Sequence, residues 1–404
     1  MTQVSRKRWR LAATVLSVTL VLAAVSCGSD DGDATPEVDV TKLDPGNYPT
    51  TPVDVGKDTD DQTGLLIEAG RIGAATPLVA DIDSRYIHVA AGSYKVGAIT
   101  GKYPAAVDGV DPEEFDAVAP GLVTGWRTQG QRRSAPNLGS SIALRVFRFG
   151  NAEQAAGAVT ALSNRGSGQV ATIPGYPEAK AKFDTTGYDP HLEAFLAKGD
   201  LVLNVLFEDP VSVPFEAGTP ADLIKRTLDK MTDMLGQYQP TPVQEIATLA
   251  VDVDGLLSRT MPPQPGQAGS RAPRTGVFPV QTVLSYAEKP NSMRDSLLDA
   301  GVDRVALGGG AEVYRAEDAA AAARLFETQT LDDDPDSAPA DPPPNLPRAR
   351  CFQPVETPGR PAATSGTPQC YIVFDRYVAH VASNNVQDLH QKTAAQYELL
   401  AFER

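Results

Sequence analysis

The stretch Phe149-Gly150-Asn151-Ala152-Glu153-Gln154-Ala155-Ala156 returns downstream as Val313-Tyr314-Arg315-Ala316-Glu317-Asp318-Ala319-Ala320. Self-similarity at such a distance marks a duplicated folding unit. Each copy reads as a strand running into a helix. Ala152, Ala155, Ala156, Val159 and Leu162 recur at the spacing that lines one helical face, and Ala316, Ala319, Ala320, Ala323 and Phe326 repeat it. Asn151, with Gln154 three residues on, offers a capped start to the first helix, whereas Arg315 at the matching place in the second cannot cap in that way.

The correspondence continues. Phe195-Leu196-Ala197, a Lys198-Gly199-Asp200 turn and Leu201-Val202-Leu203-Asn204-Val205 read as a β-hairpin. Tyr371-Ile372-Val373-Phe374, Asp375-Arg376 and Tyr377-Val378-Ala379-His380-Val381 form its counterpart with a slightly shorter turn. A helix then closes each half. Ile224, Leu228, Met231, Leu235 and Tyr238 share one face of the first, and Val386, Leu389, Thr393, Tyr397 and Leu400 one face of the second. Strands in adjacent hairpins favour antiparallel pairing over alternating strand and helix. The expected class is therefore α+β, with two similar tandem domains, each an antiparallel sheet with helices packed on one face. Gln239-Pro240-Thr241-Pro242 divides the chain into an N-terminal domain, 43–239, and a C-terminal one, 240–404. Earlier helices are expected over 62–73 and 112–118. The Pro-, Gly- and Gln-rich stretch 262–274 and the acidic, Pro-rich stretch 332–347 are expected as mobile loops.

At the start of the chain, Arg6, Lys7, Arg8 and Arg10 precede an apolar run, and Ala24-Val25-Ser26 stand directly before Cys27. This reads as an export signal over 1–26, because about 15 apolar residues fall short of the roughly 20 that a membrane-crossing helix needs. Cleavage after Ser26 makes Cys27 the first residue and resembles a bacterial lipobox, whose cysteine carries a thioether-linked diacylglycerol; Ala24 stands where Leu is usual. The competing reading is ordinary secretory cleavage at the same bond, which leaves a plain thiol. Parity separates them: of three cysteines, Cys351 and Cys370 can pair, and Cys27 is then the odd one in an exported protein. Residues 27–42 are acidic and small, the composition of a flexible tether. Leu43-Asp44-Pro45-Gly46-Asn47-Tyr48-Pro49-Thr50, with two prolines, opens the folded part.

A chain of 404 residues with 42% hydrophobic content has ample material for two cores. Its formal charge of −15 becomes −19 once the four cations of the leader are removed. That surplus of acid argues against a nucleic-acid partner and against adhesion to anionic lipid heads, so membrane residence falls to the acyl anchor. Export permits Cys351 and Cys370 to oxidise, closing a loop of about 20 residues worth roughly 3 kcal/mol in the chain-entropy model; two free buried thiols are the bland alternative.

Few motifs point to chemistry. His88, His191, His380 and His390 stand singly, without zinc-ligand spacing, and His380 alternates with Val378 and Val381 as a satisfied or half-exposed strand residue would. Asp81 and Asp83 share a face if 81–86 is extended. Asp252-Val253-Asp254-Gly255 lacks the ligands of a calcium loop and reads as a solvated turn. Gly308-Gly309-Gly310 precedes a strand rather than a helix and reads as a bend, not a phosphate loop. No G-x-S-x-G elbow occurs, and no residue is assigned a catalytic, cofactor-binding or metal-binding role.

The leader ending at Cys27, the opening segment from Leu43 to Thr50, Glu68-Ala69-Gly70-Arg71-Ile72 and the two Ala-Glu-x-Ala-Ala helices together resemble a family of two-domain actinobacterial cell-envelope lipoproteins of unknown function, of mycobacterial and nocardial type. A remoter likeness is to extracellular sensor domains of actinobacterial Ser/Thr kinases. Those have two disulfides where this chain can form one, so sensing is not carried across. The resemblance implies a lipid-anchored protein on the outer face of the cytoplasmic membrane. The expected function is non-catalytic binding of a small or lipidic ligand or of an envelope component, an envelope protein among the possible partners; the alternatives are a cell-wall-acting enzyme and an extracellular sensor-like module. A cleft with convergent polar groups and perturbed pKa values would favour catalysis, and an apolar cavity or exposed patch would favour binding.

Overall fold

Two seven-stranded antiparallel sheets carry the fold, each drawn from one half of the chain. The computed structural model describes residues 38–55, 61–89, 96–101, 107–135, 138–186, 190–262, 275–287, 289–330, 337–355 and 367–402. The leader, Cys27 and nearly all of the tether lie outside the described residues, as does 263–274 within the expected loop 262–274.

The first half runs α1 (Asp61–Ala74), β1 (Gly97–Ile99), α2 (Phe115–Val118), β2 (Leu122–Gln131), β3 (Ser141–Phe149), α3 (Ala152–Arg165), β4 (Gln169–Ile173), β5 (Tyr176–Asp184), β6 (His191–Lys198), β7 (Leu201–Glu208) and α4 (Gly218–Leu235). The second half runs β8 (Gly276–Phe278), α5 (Val280–Leu284), α6 (Pro290–Asp299), β9 (Arg304–Leu307), β10 (Ala311–Arg315), α7 (Ala319–Thr330), β11 (Ser337–Ala340), β12 (Arg350–Pro354), β13 (Gln369–Phe374), β14 (Tyr377–Ala382) and α8 (Val386–Ala401). From matching edges the sheets read β1-β2-β3-β7-β6-β5-β4 and β8-β9-β10-β14-β13-β12-β11. Every strand thus has a counterpart at the same place in the other sheet, the α+β class with two similar tandem sheets. The expected helices over 62–73 and 112–118 correspond to α1 and to a 3-10 turn followed by α2.

The pairing of the two copies differs from the sequence alignment by three residues. Phe147 lies opposite Val202, the second residue of β7, and Tyr314 lies opposite Val378, the second residue of β14. Phe147 therefore matches Tyr314, and Arg148 matches Arg315. The caps agree: Asn151 accepts a hydrogen bond from the Gln154 amide, and Asp318 accepts one from the Ala321 amide. A three-residue slip keeps nearly the same helical face, so alanine periodicity alone could not separate the two alignments. The buried faces follow the caps. Ala155, Ala158, Val159 and Leu162 are buried in α3, while Ala152 and Ala156 are exposed. Ala321, Ala322, Leu325 and Phe326 are buried in α7, Ala319, Ala320 and Ala323 are exposed, and Ala316 is buried ahead of the helix.

Both hairpin turns have two residues, Gly199-Asp200 and Asp375-Arg376, so the first is not the longer; Gly199 and Asp375 supply the positive φ such turns require. In α4, Ile224, Leu228, Met231 and Leu235 are buried as expected, with Tyr238 beyond the helix end. In α8, Leu389, Thr393 and Leu400 are buried, but Val386 at the first turn is exposed. The expected loop 332–347 is in part a strand. Ser337–Ala340 pairs with β12 as the edge of the second sheet, where Pro339 is tolerated because an edge strand can leave one side unpaired, and Leu346 is buried. Gly308-Gly309-Gly310 forms the β9–β10 turn, with Gly310 at φ 107°.

Helices are shared between layers. Phe147 and Phe149 form one core with Ala155, Ala158, Val159 and Leu162 of α3, while their neighbour Arg148 reaches Glu68 of α1 from the other face of the sheet. Helix α1 also meets the second half. A Cβ on Gly73 would stand 2.6 Å from the ring of Trp126 in β2, and one on Gly70 would stand 2.5 Å from the ring of Phe278 in β8. Two glycines thus let one helix lie close against both sheets. The opening segment packs on the second half: Tyr48 donates to Asp388, Asn345 donates to the Lys42 carbonyl, and Val53 donates to the Ser258 carbonyl.

Candidate functional site

Between β8 and β9 the chain makes α5 and α6, and these stand off the sheet over β10, β13 and β14. The space left is a cleft of about 480 Å³, within the range of small-molecule sites. Its floor follows from strand registry. Glu312 lies opposite His380, and His380 lies opposite Tyr371 on its other side, so three neighbouring strands present these side chains to one face. Gln369 and Tyr314, two residues along their strands, join the same face.

The polar groups of the floor are tied together. His380 Nε2 and Gln369 Oε1 are 2.8 Å apart, and His380 Nδ1 lies 3.8 Å from Glu312 Oε2. The Tyr314 hydroxyl donates to Glu312 Oε2 at 2.5 Å. Burial, reinforced by the Glu312 charge and that hydrogen bond, pushes the Tyr314 phenol well above its ordinary value, so it stays a donor. The rings of Tyr371 and His380 stack at 4.8 Å, and Phe352 of β12 meets Tyr371 edge-on at 6.2 Å. One wall comes from Tyr286 and Met293, and the other from the end of α7, where the buried Gln329 Oε1 has no hydrogen-bond partner among the described residues.

The equivalent place in the first half is closed. Arg145, Glu193 and Asn204 occupy the positions of Glu312, Gln369 and His380, by the pairing of Arg145 with Asn204 and of Asn204 with Phe195. Glu193 and Asn204 are buried, Arg145 is partly so, and the three are mutually bonded: Arg145 Nη1 donates to Asn204 Oδ1 at 2.7 Å, and Asn204 Nδ2 donates to Glu193 Oε1 at 2.9 Å. Burial raises the Glu193 carboxyl against the opposing pull of Arg145. Above them Phe147 stacks on Phe115 at 5.2 Å, and Val107, Val110 and Leu162 complete the fill.

Two further polar clusters are explained structurally. Glu68, wholly buried, accepts from Arg148 at 2.8 Å, from the Thr241 amide at 3.0 Å and from the Tyr238 hydroxyl, joining α1 and β3 to the link between the halves. Asp108 accepts from the Ser167 amide and hydroxyl and lies 3.4 Å from His191 Nε2, and these groups hold its carboxyl far below the usual range. Ser167 and His191 both point at the carboxylate. The hydroxyl–imidazole–carboxylate sequence of a nucleophilic triad is therefore not formed.

The weighed motifs fall elsewhere. Asp81 ends a 3-10 turn rather than sharing an extended face with Asp83, and Arg294 binds it bidentately; Asp83 is held by Arg85. Asp252 accepts from the amides of Leu257 and Ser258, and Asp254 pairs with Arg315, so this turn is fixed by the protein. His88 sits in an isolated bridge with Gln131, and His390 meets the Asp341 carbonyl at the surface. Cys351 and Cys370 face each other across β12 and β13 and are joined by a disulfide. Among the described residues no cluster of His, Cys, Asp and Glu could hold a metal ion. Of the cleft residues, sequence reading singled out His380 alone. The alternation of Glu312 and Tyr314 about Val313 was a usable sign, but which strand lies opposite which is set by the fold.

No curated protein matches this chain. It is similar to the extracellular domain of PknH from Mycobacterium tuberculosis over 41% of this chain and 96% of that one, with 11% identity and a TM-score of 0.28, and nothing further rests on that likeness. Residues 55–251 match the domain of unknown function DUF7373, N-terminal, and residues 256–403 match its C-terminal part. With both parts present in order, the chain belongs to the two-part DUF7373 family.

Proposed function

We propose that this is a lipid-anchored protein of the cell envelope that binds a small ligand, without transforming it, in the cleft beneath α5 and α6. The observation that carries this reading is the contrast between the halves. One sheet position is packed shut in the first and open, with a polar and aromatic floor, in the second. The cleft does have convergent polar groups and a perturbed phenol, signs that speak for an enzyme. The Glu312–His380 approach is the specific feature behind that second reading. Against it, the raised Tyr314 is a fixed donor to Glu312, and His380 Nε2 faces the Gln369 amide instead of a hydroxyl it could activate.

Native mass spectrometry of the chain recovered from its producing cells tests the reading. A retained small molecule should accompany the wild-type protein and be lost from Glu312→Gln and Phe352→Ala. Equal retention by all three, or a hydrolysed product released on turnover, would overturn it. The anchoring is tested separately by intact mass: the mature chain should begin at Cys27 with a diacylglycerol-sized addition, and Cys27→Ala should leave the precursor uncut. A secreted, unmodified chain starting at Cys27 would refute it.

A further inference from the structure

We infer that the ligand of this cleft is a neutral, hydroxyl-rich ring of the size of one or two sugar units, and that Gln329 selects it. The inference rests on the binding reading above. The register of the two halves makes Gln329 of α7 the counterpart of Leu162 of α3, since their caps Asp318 and Asn151 stand the same distance before them. Leu162 is wholly buried in the filled first half, whereas Gln329 lines the open cleft with a buried, unpartnered Oε1. An amide oxygen in that state calls for a donor from outside the chain.

Charge narrows the class. An anion would meet the Glu312 carboxylate. A cation would pass the exposed Lys289 and find one carboxylate, Glu312, already engaged by the Tyr314 hydroxyl and near His380, and otherwise the neutral Gln329, Gln369, Ser292 and Ser296, in place of a cage of one sign. An apolar ligand would leave Gln329 Oε1 unpaired. Hydroxyls that both donate and accept suit the mixed wall, and the Phe352–Tyr371 pair offers ring surface to the C–H faces of a polyol ring.

Saturation-transfer NMR on the full mature chain, with D-glucose, D-mannose, N-acetylglucosamine and myo-inositol as probes and choline and decanoate beside them, tests this. At least one polyol should receive saturation, and Gln329→Leu and the near-isosteric Gln329→Met should each weaken it at least ten-fold while melting as wild type does. If no polyol binds, or if both variants bind it equally well, the inference falls. Choline or decanoate binding that fades in Glu312→Gln would sink the polyol class while leaving the binding cleft standing. Silence from all six probes would count against both.

Discussion

Glu68 shows how far a single residue can set the behaviour of this molecule. Burial pushes its carboxyl pKa up, but hydrogen bonds from Tyr238 and Thr241 and the charge of Arg71 outweigh that and hold it below the ordinary value. Asp83 is held down to about 2, chiefly by the hydrogen bond from Arg85 and against the opposing effect of burial. A carboxyl with a depressed folded-state pKa contributes stability that is complete above its unfolded value, near 4, and is lost as pH falls through the folded one. Stability should therefore be flat from pH 7 to about pH 5 and fall between about pH 4 and pH 2. Asp83→Asn should reduce that dependence, as followed by urea melts at stepped pH; an unchanged slope would refute the assignment. Glu68→Gln leaves the buried Arg148 with only the half-exposed Asp200 at 3.3 Å as its anion and should cost about 3 kcal/mol at neutral pH. None of this was legible in the sequence, where Glu68 was one helical acid among many and Asp81 and Asp83 looked like a pair. Their partners Arg148, Tyr238, Arg85 and Arg294 are chosen by tertiary contacts that local spacing does not encode.

At the scale of elements the sequence was far more telling, because strand and helix periods are local. The hairpin residues Leu201 and Tyr377 start their strands as read, and the duplicated order survives in both sheets. What slipped was the alignment of the alanine helices, since Ala-Glu-x-Ala-Ala repeats almost as well three residues along, and only the caps Asn151 and Asp318 fix it. Edge strand β11 was missed because its Ser-Ala-Pro-Ala sequence carries turn-like residues and no apolar alternation. The corrected register changes which alanines matter. Ala155 and Ala322 are both wholly buried and occupy equivalent places, while Ala156 and Ala320 face solvent. Ala155→Leu and Ala322→Leu should each destabilise by about 1–3 kcal/mol through overpacking, and Ala156→Leu and Ala320→Leu should stay within about 0.5 kcal/mol of wild type. Denaturant titrations of the four variants decide it, and equal losses at buried and exposed positions would restore the earlier alignment.

Over the whole molecule, two similar sheets do not amount to two independent bodies. Residues 39–404 form one compact unit, and the contacts that join the halves are of the kind found inside a core. Trp126 of the first sheet meets Tyr286 of the second half edge-on at 5.7 Å, Thr282 donates to the Gly70 carbonyl inside α1, and Glu68 binds the link at Thr241. An internal repeat announces similar units, but sequence similarity carries no term for how much surface they bury against each other. Cooperative unfolding is the physical consequence, because separating the halves would expose Trp126 and Phe278 and strip the buried Glu68 and Arg148 of their bonds to Thr241. From Cys27 onward Trp126 is the one tryptophan, so its fluorescence reports on this junction, while far-UV circular dichroism reports on both sheets. The two signals should follow a single curve in denaturant. Reduction of Cys351–Cys370 removes a cross-link worth roughly 3 kcal/mol from the second half. If the halves are coupled, it should move the transition of Trp126, a residue of the first half that reports on the junction, by as much as the dichroism transition. A fluorescence change that precedes the loss of secondary structure, or that ignores reduction, would mean that the sheets part before they unfold and that the junction through α1 is weaker than its packing implies.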